Sequence, residues 1–209
     1  MPRSFRSVRL RSCRGCLAGT EPAESRGNVP AAPAAAPRTR LKENPVEVEL
    51  QSVAVCDREV IRGIRLPEDQ EQFAGSVDAV FDELARSARP ENQHPFAIVS
   101  GGVKVGFFVL REAENMPDWA PADVITLHSF RISLACQGKG LGRAAVVRAL
   151  CWIAQNRPLV RRMMLAVNAR NLQATKAYLR YGFVDTGMRV GGPVGDQHVF
   201  SLDVSSHRA

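Results

Sequence analysis

A glycine-rich hexapeptide, Gln137 to Gly142, separates an apolar run typical of a β-strand from a run with helical spacing. Three glycines in five residues permit a tight turn that brings several backbone N–H groups close to one ligand. The helix that follows adds its unpaired N-terminal donors and the positive end of its dipole. The segment therefore predicts a loop that binds an anion, with a phosphate or pyrophosphate as the natural ligand.

The spacing of the glycines distinguishes this loop from other phosphate-binding loops. A P-loop requires G-x-x-x-x-G-K-[ST], and the sequence contains no such run. The dinucleotide fingerprint G-x-G-x-x-G requires a third glycine where Arg143 stands. The loop instead fits Q/R-x-x-G-x-G/A, with Gln137, Gly140 and Gly142 at the fixed positions. That pattern resembles the pyrophosphate loop of the GNAT superfamily of acetyl-CoA-dependent N-acyltransferases.

A second motif follows after one further apolar strand. It resembles the N-x-x-A-x-x-x-Y-x-x-x-G-F signature that closes the GNAT core, with Asn171, Ala174, Tyr178, Gly182 and Phe183 in register. The residues also make local sense, because Asn171 is a good helix N-cap and Gly182 suits a left-handed C-terminal cap. The two motifs together indicate the family much more strongly than either does alone.

The pattern of apolar residues predicts an α/β domain over residues 46–204. The predicted order is β-α-α-β-β-β-α-β-α-β-β, with one helix over residues 67–86 and a hairpin turn at Gly101-Gly102. This is the order of the GNAT fold, so the resemblance implies one mixed sheet with helices on both faces.

Residues 1–45 have a different character and are expected to form a disordered basic tail rich in proline and alanine. They carry +6 of the net charge of +7, so the high pI belongs to the tail and nucleic-acid binding by the domain is not indicated. Three interpretations of the tail stay open: a targeting segment, a nucleic-acid-binding arm, or sequence upstream of the true translation start.

Composition narrows the cellular setting and the cofactors. No apolar run reaches the roughly 18 residues that a membrane span needs. Five cysteines without a pairing pattern favour a reducing, cytoplasmic setting. Cys13 and Cys16 have C-x-x-C spacing but lack a second ligand pair, so no metal site is expected.

The resemblance implies acetyl-CoA as the co-substrate and indicates where it binds. Main-chain donors of the glycine loop would hold the pyrophosphate, and the pantetheine arm would lie along the preceding strand like an added strand. Positive side chains at Lys139 and Arg143 would add to the attraction. The cofactor-binding residues implied are Phe130, Arg131, Ile132, Gln137, Gly138, Lys139, Gly140, Leu141, Gly142, Arg143 and Asn171.

Transfer to an amine requires a proton acceptor and a proton donor. A primary amine has a pKa of about 10.4, so its nucleophilic form costs roughly 4.6 kcal/mol at pH 7. The resemblance implies that Tyr178 donates a proton to the leaving thiolate, and His128 is the candidate base. Asp123, Glu112 and a water molecule are alternatives for the base. The implied mechanism is direct attack in a ternary complex without a covalent intermediate.

The acceptor is expected to be the primary amine of a small molecule: a polyamine, an amino acid or an aminated drug. The acidic residues Glu112, Glu114 and Asp118 suit a cationic amine, and the segment Pro67–Phe73 loosely resembles the bacterial spermine/spermidine acetyltransferase-like branch. Two alternatives stay open: a protein or ribosomal-protein N-acetyltransferase, and an acyl-CoA-binding module without turnover. A homodimer is compatible with the apolar closing strands.

Overall fold

The computed structural model describes residues 46–205, so the predicted tail and the Cys13–Cys16 pair lie outside the described residues. Within that range no helix combines the length and apolar character that crossing a bilayer requires. The elements in chain order are β1 Glu49–Ser52, α1 Arg58–Arg62, α2 Glu68–Ala74, α3 Val77–Arg86, β2 Gln93–Ser100, β3 Val103–Arg111, β4 Val124–Ile132, α4 Leu141–Asn156, β5 Arg162–Asn168, α5 Leu172–Tyr181, β6 Val184–Val190 and β7 Gln197–Asp203.

The strands form one seven-stranded mixed sheet in the order β1-β2-β3-β4-β5-β7-β6. The β4–β5 pair is parallel, and the remaining neighbours are antiparallel. The β2–β3 hairpin turns at Gly101 and Gly102, whose φ angles of 57° and 78° are those that a two-residue hairpin turn requires. The predicted mixed α/β fold is confirmed.

Helices cover both faces of this sheet because each strand alternates apolar side chains between two cores. Helices α1 and α3 bury Ile61 and Phe81 against Phe107 and Val109. On the opposite face, α4 and α5 pack on a larger core that includes Phe96, Phe108, Leu150, Ile153, Phe183 and Phe200. The residues of β4 therefore alternate between a face covered by α1–α3 and a face covered by α4 and α5.

The helix predicted over residues 67–86 is two helices, which corrects the predicted element order. Gly75 adopts a φ of 72°, which ends α2 at Ala74, and Ser76 starts α3 by accepting a hydrogen bond from the Ala79 N–H at 3.1 Å. The apolar spacing continues through the break, so periodicity alone did not reveal it. The break frees the C-terminal end of α2 to dock on β4.

Candidate active site

A cleft opens between β4 and β5. The two strands pair through Val124↔Arg162, Ile125↔Met163 and Thr126↔Met164 only. Beyond these pairs β4 continues to Ile132 and β5 to Asn168 without pairing to each other. We call this separation the β4–β5 cleft. The facing strand edges retain backbone groups that an extended ligand could pair with.

A β-bulge in β4 accompanies the separation of the strands. Phe107 faces Arg131 and Val109 faces His128, so β4 holds one residue more than β3 over this stretch. Ser129 has a φ of 52°, an uncommon value for a residue other than glycine. A bulge bends its strand and increases the local twist, which turns β4 away from β5. Phe130, Arg131 and Ile132 follow the bulge at the cleft.

The glycine loop supplies unpaired N–H groups where β4 ends. Gly138 and Gly140 adopt φ angles of 74° and 78°, and α4 begins at Leu141. The Ala144 N–H is the first in this helix to bond back, to Gly140 O at 3.1 Å. Among the described residues, no acceptor pairs with the backbone N–H groups of residues 138–143. Such a set of donors at a helix N-terminus fits a pyrophosphate.

The side chains beside these donors add positive charge. Lys139 and Arg143 are exposed, and neither forms an ion pair with any residue in the range 46–205. Their charges reinforce the positive end of the α4 dipole. The loop therefore has the electrostatics as well as the hydrogen-bond donors that a diphosphate requires.

Three glutamine side chains connect the two sides of the cleft. Gln137 Nε2 donates to Ile132 O at 2.9 Å and to Gln70 Oε1 at 2.9 Å, and Gln70 Nε2 donates to Gln173 Oε1 at 3.0 Å. We call Gln70, Gln137 and Gln173 the glutamine bridge. Since Gln137 follows β4 and Gln173 lies in the first turn of α5, which follows β5, the bridge spans the open end of the cleft.

These contacts give Gln137 a structural part in the loop. Its side chain is bonded within the protein, and its backbone N–H donates to Leu134 O at 3.2 Å. Gln137 therefore shapes the loop, while the unpaired donors belong to the residues that follow it.

The side chain of Arg131 points to α2 and is fully buried. One terminal nitrogen lies 3.1 Å from Glu71 Oε1, and the other donates to Ala74 O at 3.2 Å and Gly75 O at 2.5 Å. Burial lowers the pKa of Arg131, and the charge of Glu71 opposes that effect. The guanidinium thus fixes the C-terminal end of α2 on β4, and only the backbone of Arg131 is left for a cofactor.

Tyr178 projects from α5 into an aromatic cluster beside the cleft. Its ring centroid lies 6.1 Å from that of Phe130, 6.0 Å from Tyr181 and 5.4 Å from Phe183. Burial raises the pKa of the Tyr178 hydroxyl, so the phenol is protonated at neutral pH. Among the described residues nothing accepts a hydrogen bond from this hydroxyl, which leaves it available to a ligand in the cleft.

His128 faces the side of the sheet that α1–α3 cover. Its Nε2 lies 2.8 Å from Thr126 Oγ1, and that hydroxyl donates to Arg111 O at 3.3 Å. The Thr126 hydroxyl has one proton, and when it donates that proton to Arg111 O, His128 Nε2 carries the imidazole proton and Nδ1 is the acceptor. Burial, with a smaller effect of the Arg111 charge, lowers the pKa of His128 to about 3. A base this weak is poorly matched to an alkylammonium at neutral pH.

The two alternative carboxylate bases are both engaged in ion pairs. Glu112 accepts from Arg157 Nε at 2.7 and 2.8 Å and contacts His94 Nε2 at 2.7 Å. Asp123 lies 3.5 Å from Arg162, at the end of β4 opposite the cleft. Neither carboxylate is available in the cleft to take a proton.

The second sequence motif shapes α5. Asn171 Oδ1 accepts from the Ala174 N–H at 3.0 Å and caps the helix, as predicted. Gly182 ends it in the left-handed region with a φ of 101°. These two residues define the two ends of the helix that carries Tyr178.

Sequence reasoning missed Gln70, Gln173, Thr126 and Arg111. The bonds from Gln70 reach residues 67 and 103 positions away, so no local pattern could have indicated them. Within residues 46–205, no three His, Cys, Asp or Glu side chains lie together in a way that could hold a metal ion.

Comparisons with known proteins agree with this geometry. Residues 60–183 match the family described as the Acetyltransferase (GNAT) family. The uncharacterised N-acetyltransferase YbbJ of Bacillus subtilis (strain 168) is 26% identical over 139 residues, which is 66% of this chain and 85% of YbbJ.

Two solved structures share the fold. The aminoglycoside acetyltransferase AAC(6')-Ib in complex with coenzyme A has a TM-score of 0.61 and 20% identity, over 75% of this chain and 95% of that one. The spermidine N-acetyltransferase of Vibrio cholerae in complex with CoA and spermine has a TM-score of 0.58 and 18% identity, over 77% and 97%. At this identity the likeness concerns the fold alone.

Proposed function

The chain belongs to the GNAT family of acetyltransferases, and from that premise we propose that it transfers an acetyl group from acetyl-CoA to a primary amine of a small molecule. The observation that carries the proposal is the β4–β5 cleft, which runs from the unpaired N–H groups of residues 138–143 to the hydroxyl of Tyr178. One end of this cleft suits a diphosphate, and the other holds a proton donor beside a free strand edge.

Acetyl-CoA supplies an activated acyl group on a thiol leaving group. The residues proposed to hold it are the N–H groups of 138–143 with Lys139 and Arg143 for the diphosphate, and the backbone of Phe130, Arg131 and Ile132 for the pantetheine arm. Backbone N–H groups of the same stretch would stabilise negative charge on the acyl oxygen. Asn171, which the resemblance implies as a cofactor-binding residue, uses its side chain to cap α5.

The acceptor amine loses its proton mainly because its surroundings lower its pKa, and no strong base is needed. Burial lowers the pKa of a cationic group, and the charge of Arg111 acts in the same direction. Both effects lower the pKa of His128. An amine bound beside His128 experiences both effects and is shifted toward its nucleophilic form. We propose that Nδ1 of His128 accepts a hydrogen bond from this amine and orients it, and that solvent takes the proton.

Tyr178 is proposed as the proton donor to the departing thiolate. A coenzyme A thiol is expected to have a pKa similar to that of cysteine, about 8.5. Because burial raises the pKa of Tyr178, the phenol is protonated at neutral pH and donates a hydrogen bond to the sulfur as the C–S bond breaks. Along this hydrogen bond its proton passes to the thiolate, and solvent then reprotonates the phenolate. The attack is direct, in a ternary complex, so no residue of this chain needs to carry the acyl group.

The test is binding of acetyl-CoA by calorimetry followed by thiol release across a panel of amines. Acetyl-CoA is expected to bind, and wild-type enzyme is expected to release thiol only when an acceptor is present. Binding without acceptor-dependent thiol release would favour an acyl-CoA-binding module. Thiol release with a peptide N-terminus but with no small amine would favour a protein N-acetyltransferase.

A further inference from the structure

A polar cavity of 310 Å³ lies at the C-terminal end of α3. Its volume falls within the range of small-molecule pockets, about 300–1,000 Å³. It combines residues from α3 and its cap, the start of β2, the end of β3 and the turn that follows β3. The lining residues are Glu83, Arg86, Ser87, Gln93, Arg111 and Asn115.

The side-chain acceptors of this cavity are mostly occupied. Both Glu83 oxygens accept from the terminal nitrogens of Arg111, each at 2.7 Å. Asn115 Oδ1 accepts from Ser87 Oγ at 3.4 Å. The oxygen of the Gln93 amide is the acceptor left over among the lining side chains.

Asn115 Nδ2 donates to Arg89 O at 2.6 Å, but three lining residues keep side-chain donors without a partner. Arg86 donates from Nε to Asp82 O at 3.1 Å, and its terminal nitrogens have no partner in the described range. Gln93 is 7% exposed, and its amide has no hydrogen-bond partner among the described residues. Arg111 Nε is buried and also lacks an acceptor. A buried donor without an acceptor is costly, and the Arg86 and Gln93 donors are open to a ligand, so the cavity favours a ligand with acceptor atoms.

The net charge of the cavity also favours a ligand with acceptor atoms. Two guanidinium groups, Arg86 and Arg111, face one carboxylate, Glu83. The C-terminal end of α3 contributes partial negative charge, which is smaller than the full charge of one guanidinium. The net positive charge and the surplus of donors together fit a carboxylate.

The cavity adjoins the place where the cleft begins. Arg111 is the β3 partner of Thr126, and Thr126 is the last β4 residue paired with β5. The Thr126 hydroxyl joins Arg111 O to His128. Arg111 thus lines the cavity and is also connected through Thr126 to His128, the residue proposed to orient the acceptor amine.

We propose that this cavity binds a carboxylate of the acceptor, so that the substrate class is an amino acid or a similar amino carboxylate. The inference rests on the proposed function, because it assigns the non-reacting end of the same acceptor. A polyamine would instead place an ammonium group beside Arg86. Two of the three acidic residues expected to attract a polyamine are engaged elsewhere, Glu112 by Arg157 and Glu114 by Asn92 at 2.7 Å.

The experiment compares matched acceptors that differ only in charge. Each ω-amino carboxylate from glycine to 6-aminohexanoate is paired with its carboxamide. Binding is measured by calorimetry with coenzyme A present, and KM and kcat are measured by thiol release with acetyl-CoA. For at least one pair, wild-type protein is expected to bind the carboxylate about tenfold more tightly than the carboxamide. The two acceptors should then differ in KM and have similar values of kcat.

Two variants and a matched control locate the effect. Arg86→Gln is expected to abolish the preference for the carboxylate, and Gln93→Glu, which adds a negative charge at nearly the same volume, is expected to reverse it. Arg89→Gln is the control, because Arg89 lies three residues from Arg86 and does not line the cavity. It should keep the preference.

The outcomes separate this inference from the proposed function. Equal binding of every carboxylate and its carboxamide, or a preference that survives Arg86→Gln, overturns the carboxylate site. Thiol release with the carboxamides in that case leaves the acetyltransfer proposal standing. A carboxylate preference that Arg86→Gln abolishes, found without thiol release from any acceptor, supports the site and overturns acetyl transfer to these amines.

Discussion

The hydroxyl of Tyr181 occupies the space where a side chain on Gly142 would begin. A Cβ built on Gly142 would lie 2.5 Å from the Tyr181 oxygen and 3.2 Å from its Cζ. The contact joins the first turn of α4 to the last turn of α5, and Tyr181 in turn packs edge-to-face on Tyr178. The last glycine of the loop thus sets how closely the helix that bears the proposed proton donor can approach the proposed diphosphate site.

Replacing Gly142 by alanine is expected to push Tyr181 against Tyr178. Overpacking of this kind costs about 1–3 kcal/mol of unfolding free energy. Acetyl-CoA affinity should fall as well, because α5 moves away from the cleft. Chemical denaturation and calorimetry measure the two effects. The double variant Gly142→Ala with Tyr181→Phe, which removes the clashing oxygen, should regain part of both losses, and no recovery would mean that the contact is not the cause.

Tyr178→Phe removes the proposed proton donor and keeps the ring. Since nothing among the described residues accepts from the hydroxyl, stability should change by less than about 0.5 kcal/mol. The value of kcat is expected to fall by about 10²-fold or more, while acetyl-CoA affinity stays within about twofold. Tyr181→Phe is the matched control on the same helix and should retain kcat. An unchanged kcat in the Tyr178 variant would remove Tyr178 from the mechanism.

His128 should make the protein less stable in acid. The pKa of His128 in the folded protein is about 3, below the ordinary value of 6.5. Between these two pH values the unfolded chain binds a proton at His128 and the folded protein does not. Stability from this group is complete above pH 6.5 and is lost as pH falls from 6.5 toward 3, by up to about 1.4 kcal/mol per pH unit. Urea unfolding of wild type and His128→Gln across this range measures it. The variant should show the shallower decline, and parallel curves would contradict the low pKa.

The same pKa gives an expectation for catalysis. Because His128 is neutral throughout the range from pH 5 to 8, it should add no inflection to the profile of kcat/KM there. His128→Gln should therefore shift the rate by a similar factor at every pH in this range. An acidic limb that disappears in the variant would restore His128 as the general base.

Two members of the glutamine bridge should behave differently on mutation. Gln137→Ala removes the bonds to Ile132 O and Gln70 that hold the loop, and should weaken acetyl-CoA binding by about 1–2 kcal/mol. Gln173→Ala removes only the contact across the open end of the cleft and should leave affinity intact or improve it, with faster association. Stopped-flow binding separates the two. Gln72→Ala, on the same helix as Gln70 but bonded to Asp69 O, is the control.

The elements that local sequence predicts well are those whose cause is local. The Gly101-Gly102 turn, the Asn171 cap and the Gly182 stop each depend on one residue's backbone preference or side-chain reach, and each is confirmed. The break at Gly75 was missed because the helical spacing of apolar residues continues on both sides of it. Gly75 changes the direction of the chain without interrupting that spacing.

The site itself is predictable only in part, because its parts come from distant segments. The glycine loop shows where a diphosphate could bind, but the cleft depends on a bulge at Ser129, which no turn residue marks. Arg131 is a charged residue, and the sequence does not show that its side chain is fully buried. It is buried because carbonyl groups at the end of α2 accept its hydrogen bonds. Such contacts arise from tertiary packing, and the spacing of residues along the sequence does not indicate them.

The buried guanidinium of Arg131 has a consequence for how an acceptor is admitted. Since it ties two carbonyls and a carboxylate at the end of α2 to the strand beneath, that helix cannot swing outward without exposing an unpaired cation to an apolar interior. We therefore expect selectivity on this side to come from a rigid surface, so that acceptors whose shape does not fit it bind weakly.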